Sequence, residues 1–167
     1  MVDLSSKSDA EVGQWIANHE TKGATAEPLY LALLEERARR AQAKNNLDPD
    51  KSLACLIGAA REQVCTTYGA LAAASGVEWS KARRAMSGAG GHLDRLLDVC
   101  HARGLPMLTA LCVNQGGVKS GELEPDALKG FCAGARRLGF TVADEVAFHH
   151  EQRDACWQWG SRSEPSR

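Results

Sequence analysis

The sequence lacks a dominant charge. Its 20 Lys+Arg residues face 21 Asp+Glu residues, for a formal net charge of -1. That balance argues against a generic nucleic-acid coat and against membrane attachment, while leaving room for a local basic face. No apolar run approaches the ~20 residues of a membrane-spanning helix. Residues 1–15, MVDLSSKSDAEVGQW, have neither the basic n-region nor the apolar h-region of a secretory signal. A cytoplasmic location and no membrane partner are therefore predicted. There is no C-x-x-C pair: Cys55, Cys65, Cys100, Cys112, Cys132 and Cys156 are scattered through apolar segments. Such spacing fits buried thiols in a reducing compartment rather than a disulfide framework or a zinc site. No metal and no cofactor are predicted.

Catalytic signatures are missing as well. The chain has no H-E-x-x-H, no Walker loop and no nucleophile elbow, so it is not expected to be an enzyme. His149 and His150 are adjacent, and on a helix they point about 100° apart, which disfavours joint chelation of one metal. The acidic trio Glu122, Glu124 and Asp126 reads as a solvated loop. The G-A-G-G run at 88–91 is too short for a phosphate loop and reads as a hinge. Trp157 and Trp159, at i,i+2, face different ways, and one of them is expected to anchor the core.

What is present is helical periodicity over 167 residues that are 44% hydrophobic, enough for one sizeable core. Ser8 and Glu11 have capping-box spacing ahead of Val12, Trp15 and Ile16. Pro28 suits the first turn of a second helix running to about Asn46, with Glu35 and Glu36 four residues before Arg39 and Arg40. Residues 1–50 carry six Lys/Arg against nine Asp/Glu, and they are predicted to form an N-terminal helical arm. Residues 51–160 are predicted as a winged-helix-like domain, and 161–167 as a disordered tail. Within the domain, helices are expected over SLACLIGAAREQV, from His92 to Arg103, over 125–139 and over 144–159. LPMLTALCVN at 105–114 is expected to be a strand, because it is apolar and bounded by Gly and Pro. VKSGEL is expected to return as its hairpin partner.

The centre of the reading is Thr66–Ala85, TTYGALAAASGVEWSKARRA. It has the form of a helix-turn-helix: a short helix with Leu71 and Ala72, a turn at Gly76, and a second helix with Ala82 and Ala85 inward. Ser80, Lys81, Arg83 and Arg84 then face outward, the residue types that touch phosphates and base edges when a helix enters a major groove. The same residues also fit an ordinary pair of packed helices with a solvated basic face.

Tyr68-Gly69 opening a helix-turn-helix, Ala82, Arg83, Arg84 and Ala85 on the second helix, and an apolar segment leading to a cysteine together resemble the DNA-binding domain of O6-alkylguanine-DNA alkyltransferases and alkyltransferase-like proteins. The resemblance implies a winged-helix fold, and places Arg83 or Arg84 where that family's helix arginine contacts DNA. It does not imply alkyl transfer. The family's Pro-Cys-His-Arg is replaced by Ala-Leu-Cys-Val-Asn around Cys112, and a thiol in an apolar segment has its pKa raised, not lowered. The chain also resembles small proteins of phages and mobile elements, through no nameable motif. A mainly α-helical protein with a helix-turn-helix/winged-helix core and one small β-hairpin is expected. It would bind double-stranded DNA through Tyr68, Ser80, Lys81, Arg83, Arg84 and a wing residue, Lys119, as a homodimer. The competing expectation is a module that regulates or inhibits a protein partner.

Overall fold

The computed structural model describes residues 2–162. It is mainly helical, with eight α-helices among the described residues: α1 Asp9–Thr21, α2 Pro28–Asn45, α3 Pro49–Glu62, α4 Tyr68–Ala74, α5 Trp79–Met86, α6 His92–Ala102, α7 Pro125–Arg137 and α8 Glu145–Arg162. Their starts follow local chemistry. Ser8 accepts from the Glu11 amide and the Glu11 carboxylate accepts from the Ser8 amide, closing the expected capping box. Pro28, Pro49 and Pro125 stand in first turns, where no amide donor is needed. Asp48 accepts from the amides of Asp50 and Lys51 to cap α3.

Two apolar clusters hold the helices. One joins α3, α4, α5, α6 and α8 through residues such as Leu56, Leu71, Met86, Leu96, Leu111 and Cys156. The other joins α1 and α2 to α6, α7 and α8 through Ile16, Tyr30, Leu33, Leu97, Phe131 and Phe148. The helices α1 and α2, within the segment expected as an arm, share this cluster, with α2 lying along α6.

The expected β-hairpin is not formed. The only paired strands among the described residues are β1 (Thr66–Thr67) and β2 (Cys112–Val113), and they run parallel, with Thr66 opposite Cys112 and Thr67 opposite Val113. Leu108–Leu111 is instead a turn of 3-10 helix, buried throughout. A short apolar run bounded by Gly and Pro does not distinguish a strand from a buried helical segment. Here α8 decides it: the His149 ring bonds the Ala110 carbonyl oxygen at 2.9 Å, and the Cys156 thiol donates to that of Met107 at 3.3 Å. Residues 118–121 form a turn rather than a returning strand. The predicted tail begins inside α8, which ends at Arg162, and the rest of it lies outside the described residues. No helix among the described residues is long and apolar enough to cross a membrane.

Candidate nucleic-acid interface and the cavity beside it

Thr66 and Thr67 pair with β2, and Thr67 also caps α4 by accepting from the Ala70 amide at 3.1 Å. This fixes where α4 starts. It ends in a Schellman arrangement, with Val77 N–H bonding Ala72 O at 3.0 Å and Gly76 N–H bonding Ala73 O at 2.9 Å. Gly76 sits at φ 71, a left-handed conformation that a side chain would strain. The Ser75 hydroxyl accepts from the Asp48 amide at 2.9 Å and ties this turn to the start of α3. Leu71 and Ala72 of α4 and Ala82 and Met86 of α5 are buried. The segment 66–85 thus forms two short helices, α4 and α5, joined by a tight turn.

Ser80, Lys81, Arg83 and Arg84 are all exposed on α5. Their side chains make no ion pair or hydrogen bond among the described residues. This sets Arg83 and Arg84 apart from Arg37, Arg39, Arg40, Arg103, Arg136, Arg137 and Arg153, each within 4.0 Å of a carboxylate. Trp79, at the first position of α5, is 42% exposed. Two of the six expected contact residues stand elsewhere. Lys119 is exposed, but its turn docks on α8, where Arg153 donates to the Gly121 carbonyl at 3.1 Å. Tyr68 is half-buried and lines a cavity, and burial pushes its hydroxyl pKa up to about 12.

That cavity, of about 750 Å³, lies between α6, α7 and the segment 109–114. Among the α7 residues lining it, Ala127, Gly130 and Gly134 are small and spaced for one helical face. The loop 87–90, leading out of α5, forms part of its wall. Cys112 lies on the same wall, and burial raises its thiol pKa, so it is held as the neutral thiol.

Behind the cavity lies a charge network that the sequence reading missed. Asp98 is fully buried and is shared by three guanidinium groups: Arg137 Nη2 at 2.6 Å, Arg37 Nη2 at 2.8 Å and Arg95 Nε at 3.4 Å. Arg137 also reaches Glu20 at 3.2 Å. Arg95 is 8% exposed, and its Nε has no hydrogen bond. Burial lowers its pKa, against the opposing pull of Asp98 and Asp94.

The two adjacent histidines also behave differently from expectation. Glu122, His149 and His150 each bring a ligand-type atom within 4.8 Å of the others. His150 Nε2 contacts Glu122 Oε1 at 2.7 Å, Arg153 stands 3.8 Å from that oxygen, and the buried His149 uses Nε2 on the Ala110 carbonyl. The carboxylate is thus held by the His150 ring and the Arg153 guanidinium, and the hydrogen bond from His150 lowers its pKa. Trp157 anchors α8 to the end of α3, donating to the Val64 carbonyl at 2.9 Å and stacking under Arg153 at 5.2 Å. No family model, curated protein or solved structure matches the chain.

Proposed function

We propose that the protein binds double-stranded DNA through α4 and α5, with α5 presented to the major groove. The observation that carries this reading is the exposed Lys81, Arg83 and Arg84 without carboxylate partners, in a protein whose other arginines are mostly ion-paired. Unpaired cations keep their full charge available for phosphates. Ser80 and the arginines lie in the part of the motif that reaches backbone and base edges. The resemblance to alkyltransferase-like DNA-binding domains supports the same helix, although the hairpin wing is not part of the proposal. Lys119 is excluded from the groove-facing set. At 8 residues, α5 spans only about two turns and makes few phosphate contacts. A homodimer that doubles those contacts is part of the proposal, as is a reducing cytoplasmic setting for the six free thiols.

The test is fluorescence anisotropy with random duplex DNA at two salt concentrations. Salt-sensitive binding is expected, and Arg83→Glu/Arg84→Glu should weaken it at least about tenfold and reduce the slope of log K against log salt by about 2. Absence of binding at low salt, or binding unchanged in the double variant, refutes the assignment. One observation favours a second reading, a regulatory protein-interaction surface: Trp79 is exposed beside the same basic residues, and Trp and Arg are the side chains that dominate protein interfaces. Failure of DNA binding would send the search to partner capture on wild type compared with Trp79→Ala.

A further inference from the structure

We infer that the cavity between α6 and α7 is a binding site for a small organic monoanion: a carboxylate with an apolar body. Its volume of about 750 Å³ falls within the range of small-molecule sites. Much of the wall is apolar, with Leu97 and Phe131 among the lining side chains. Its polar lining side chains include Tyr68, Arg95, Thr109 and Asn114. The hydroxyls of Tyr68 and Thr109 and the amide of Asn114 have no hydrogen-bond partner among the described residues, and Thr109 is only 6% exposed. Arg95 is more than nine-tenths buried and has no partner beyond its 3.4 Å approach to Asp98. Buried polar groups normally find partners; a buried guanidinium without a hydrogen bond at Nε, with two hydroxyls and an amide open to the same space, marks that space as a place for a ligand.

The charge of the ligand follows from the network. Arg37 and Arg137 spend donors on Asp98 and Glu20, whereas Arg95, which faces the charges of Asp98 and Asp94, has no hydrogen-bonded carboxylate and is the lining guanidinium with donors to spare. The remaining carboxylates define the rim. Asp94 accepts from the Gly90 amide at 2.7 Å, while Glu124 and Asp126 are exposed at the cavity mouth. A single deep negative charge meets Arg95, whereas a polyanion extending to the rim meets like charge. Inorganic phosphate and nucleotides are therefore disfavoured relative to a monocarboxylate. The planar guanidinium suits a carboxylate, and the hydroxyls and amide around it orient the rest of the molecule. The inference stands independently of DNA binding.

The experiment is a titration of the full-length, ¹⁵N-labelled protein with sodium benzoate, followed in ¹H–¹⁵N spectra. Benzamide serves as the neutral isostere, and inorganic phosphate as an anion without an apolar body. Saturable shifts are expected for benzoate, with a Kd on the order of 1 mM or tighter, concentrated at the amides of 87–90, Thr109 and Asn114. Benzamide and phosphate should each bind at least about tenfold more weakly. Gly130→Leu fills the space from α7, where an added Cβ meets nothing within 4 Å. It should keep the wild-type spectrum elsewhere and weaken benzoate at least about tenfold. Arg95→Met should do the same, and Gly130→Leu decides the matter if that variant does not fold. No saturable shift up to about 20 mM benzoate, equal binding of benzamide, or unchanged affinity in Gly130→Leu overturns the inference.

Discussion

Asp98 is the residue on which the charge arrangement behind the cavity depends, and Asp98→Asn tests that directly. The side chain is fully buried and is the shared counter-ion of Arg37, Arg95 and Arg137. Asparagine keeps the shape and one acceptor but removes the negative charge. Three guanidinium groups then remain with Glu20 as their carboxylate, and Glu20 reaches Arg137 alone. Removing one partner of a buried ion pair costs about 3–5 kcal/mol, because the remaining charge is left uncompensated. The rim carboxylate of Asp94 and water in the cavity soften that, so the expected loss is about 3 kcal/mol. For a chain of this size that is a fall in Tm of roughly 10 °C. Urea denaturation followed by circular dichroism gives the free energy, and an unchanged m-value shows that the comparison is between like states. The double variant Asp98→Asn/Arg95→Met should recover about 1 kcal/mol, since it removes one orphaned charge. A loss under about 1 kcal/mol for Asp98→Asn would show that the arginines do not depend on this carboxylate.

Two further predictions concern stability. His92 is buried against the Ser52 hydroxyl at 2.8 Å, and desolvation lowers its pKa to about 4. The folded state therefore holds the neutral ring while the unfolded chain binds a proton near pH 6.5; stability is full above that pH, falls by about 3 kcal/mol as the pH drops from about 6.5 to about 4, and levels off below. His92→Asn should flatten that part of a denaturation-against-pH profile, and an unaltered profile would assign the acid sensitivity to other groups. At the α3–α8 crossing, an added Cβ on Gly160 would overlap the carbonyl carbon and oxygen of Ala60 and lie 2.7 Å from the Arg61 amide nitrogen. Helix propensity alone would make Gly160→Ala stabilising by about 1 kcal/mol, but backbone cannot yield as a flexible side chain does, so a net loss of about 1–3 kcal/mol is expected in the same urea assay. A variant as stable as wild type would show that α8 shifts freely at this crossing.

Much of the helical framework was legible because its signals are local. Ser8 with Glu11, Pro28, Pro49 after Asp48, and Gly76 between two short apolar segments each act within a few residues of chain, and each element begins or turns where those residues stand. The segment 105–114 was not legible for the opposite reason. Its apolar run is compatible with strand or buried 3-10 turn, and what settles it is α8, whose His149 and Cys156 side chains satisfy the carbonyls a neighbouring strand would otherwise pair. That partner lies 39 and 49 residues away in sequence, beyond the reach of periodicity. The wing assigned to Lys119 fell with the hairpin.

The exposed face of α5 was readable from spacing through Ala82, which is buried as expected, while the second inward residue is Met86 rather than the half-buried Ala85; Ser80, Lys81, Arg83 and Arg84 stand outside. The cavity was harder, although one signal for it was present. In HLDRLLDVCHA, Arg95 and Asp98 stand three residues apart on one helical face, yet Leu96, Leu97, Val99 and Cys100 surround them and are buried on every side. Residues 95–100 of α6 are buried without a break, so its arginine and aspartate are not solvated charges. Burial without compensation would cost several kcal/mol per ion, so the pair already requires partners from other elements. Arg37 of α2 and Arg137 of α7 supply them. Those two spend donors on Asp98, and Arg137 on Glu20 as well, which leaves Arg95, a cavity-lining guanidinium, without a hydrogen bond at Nε.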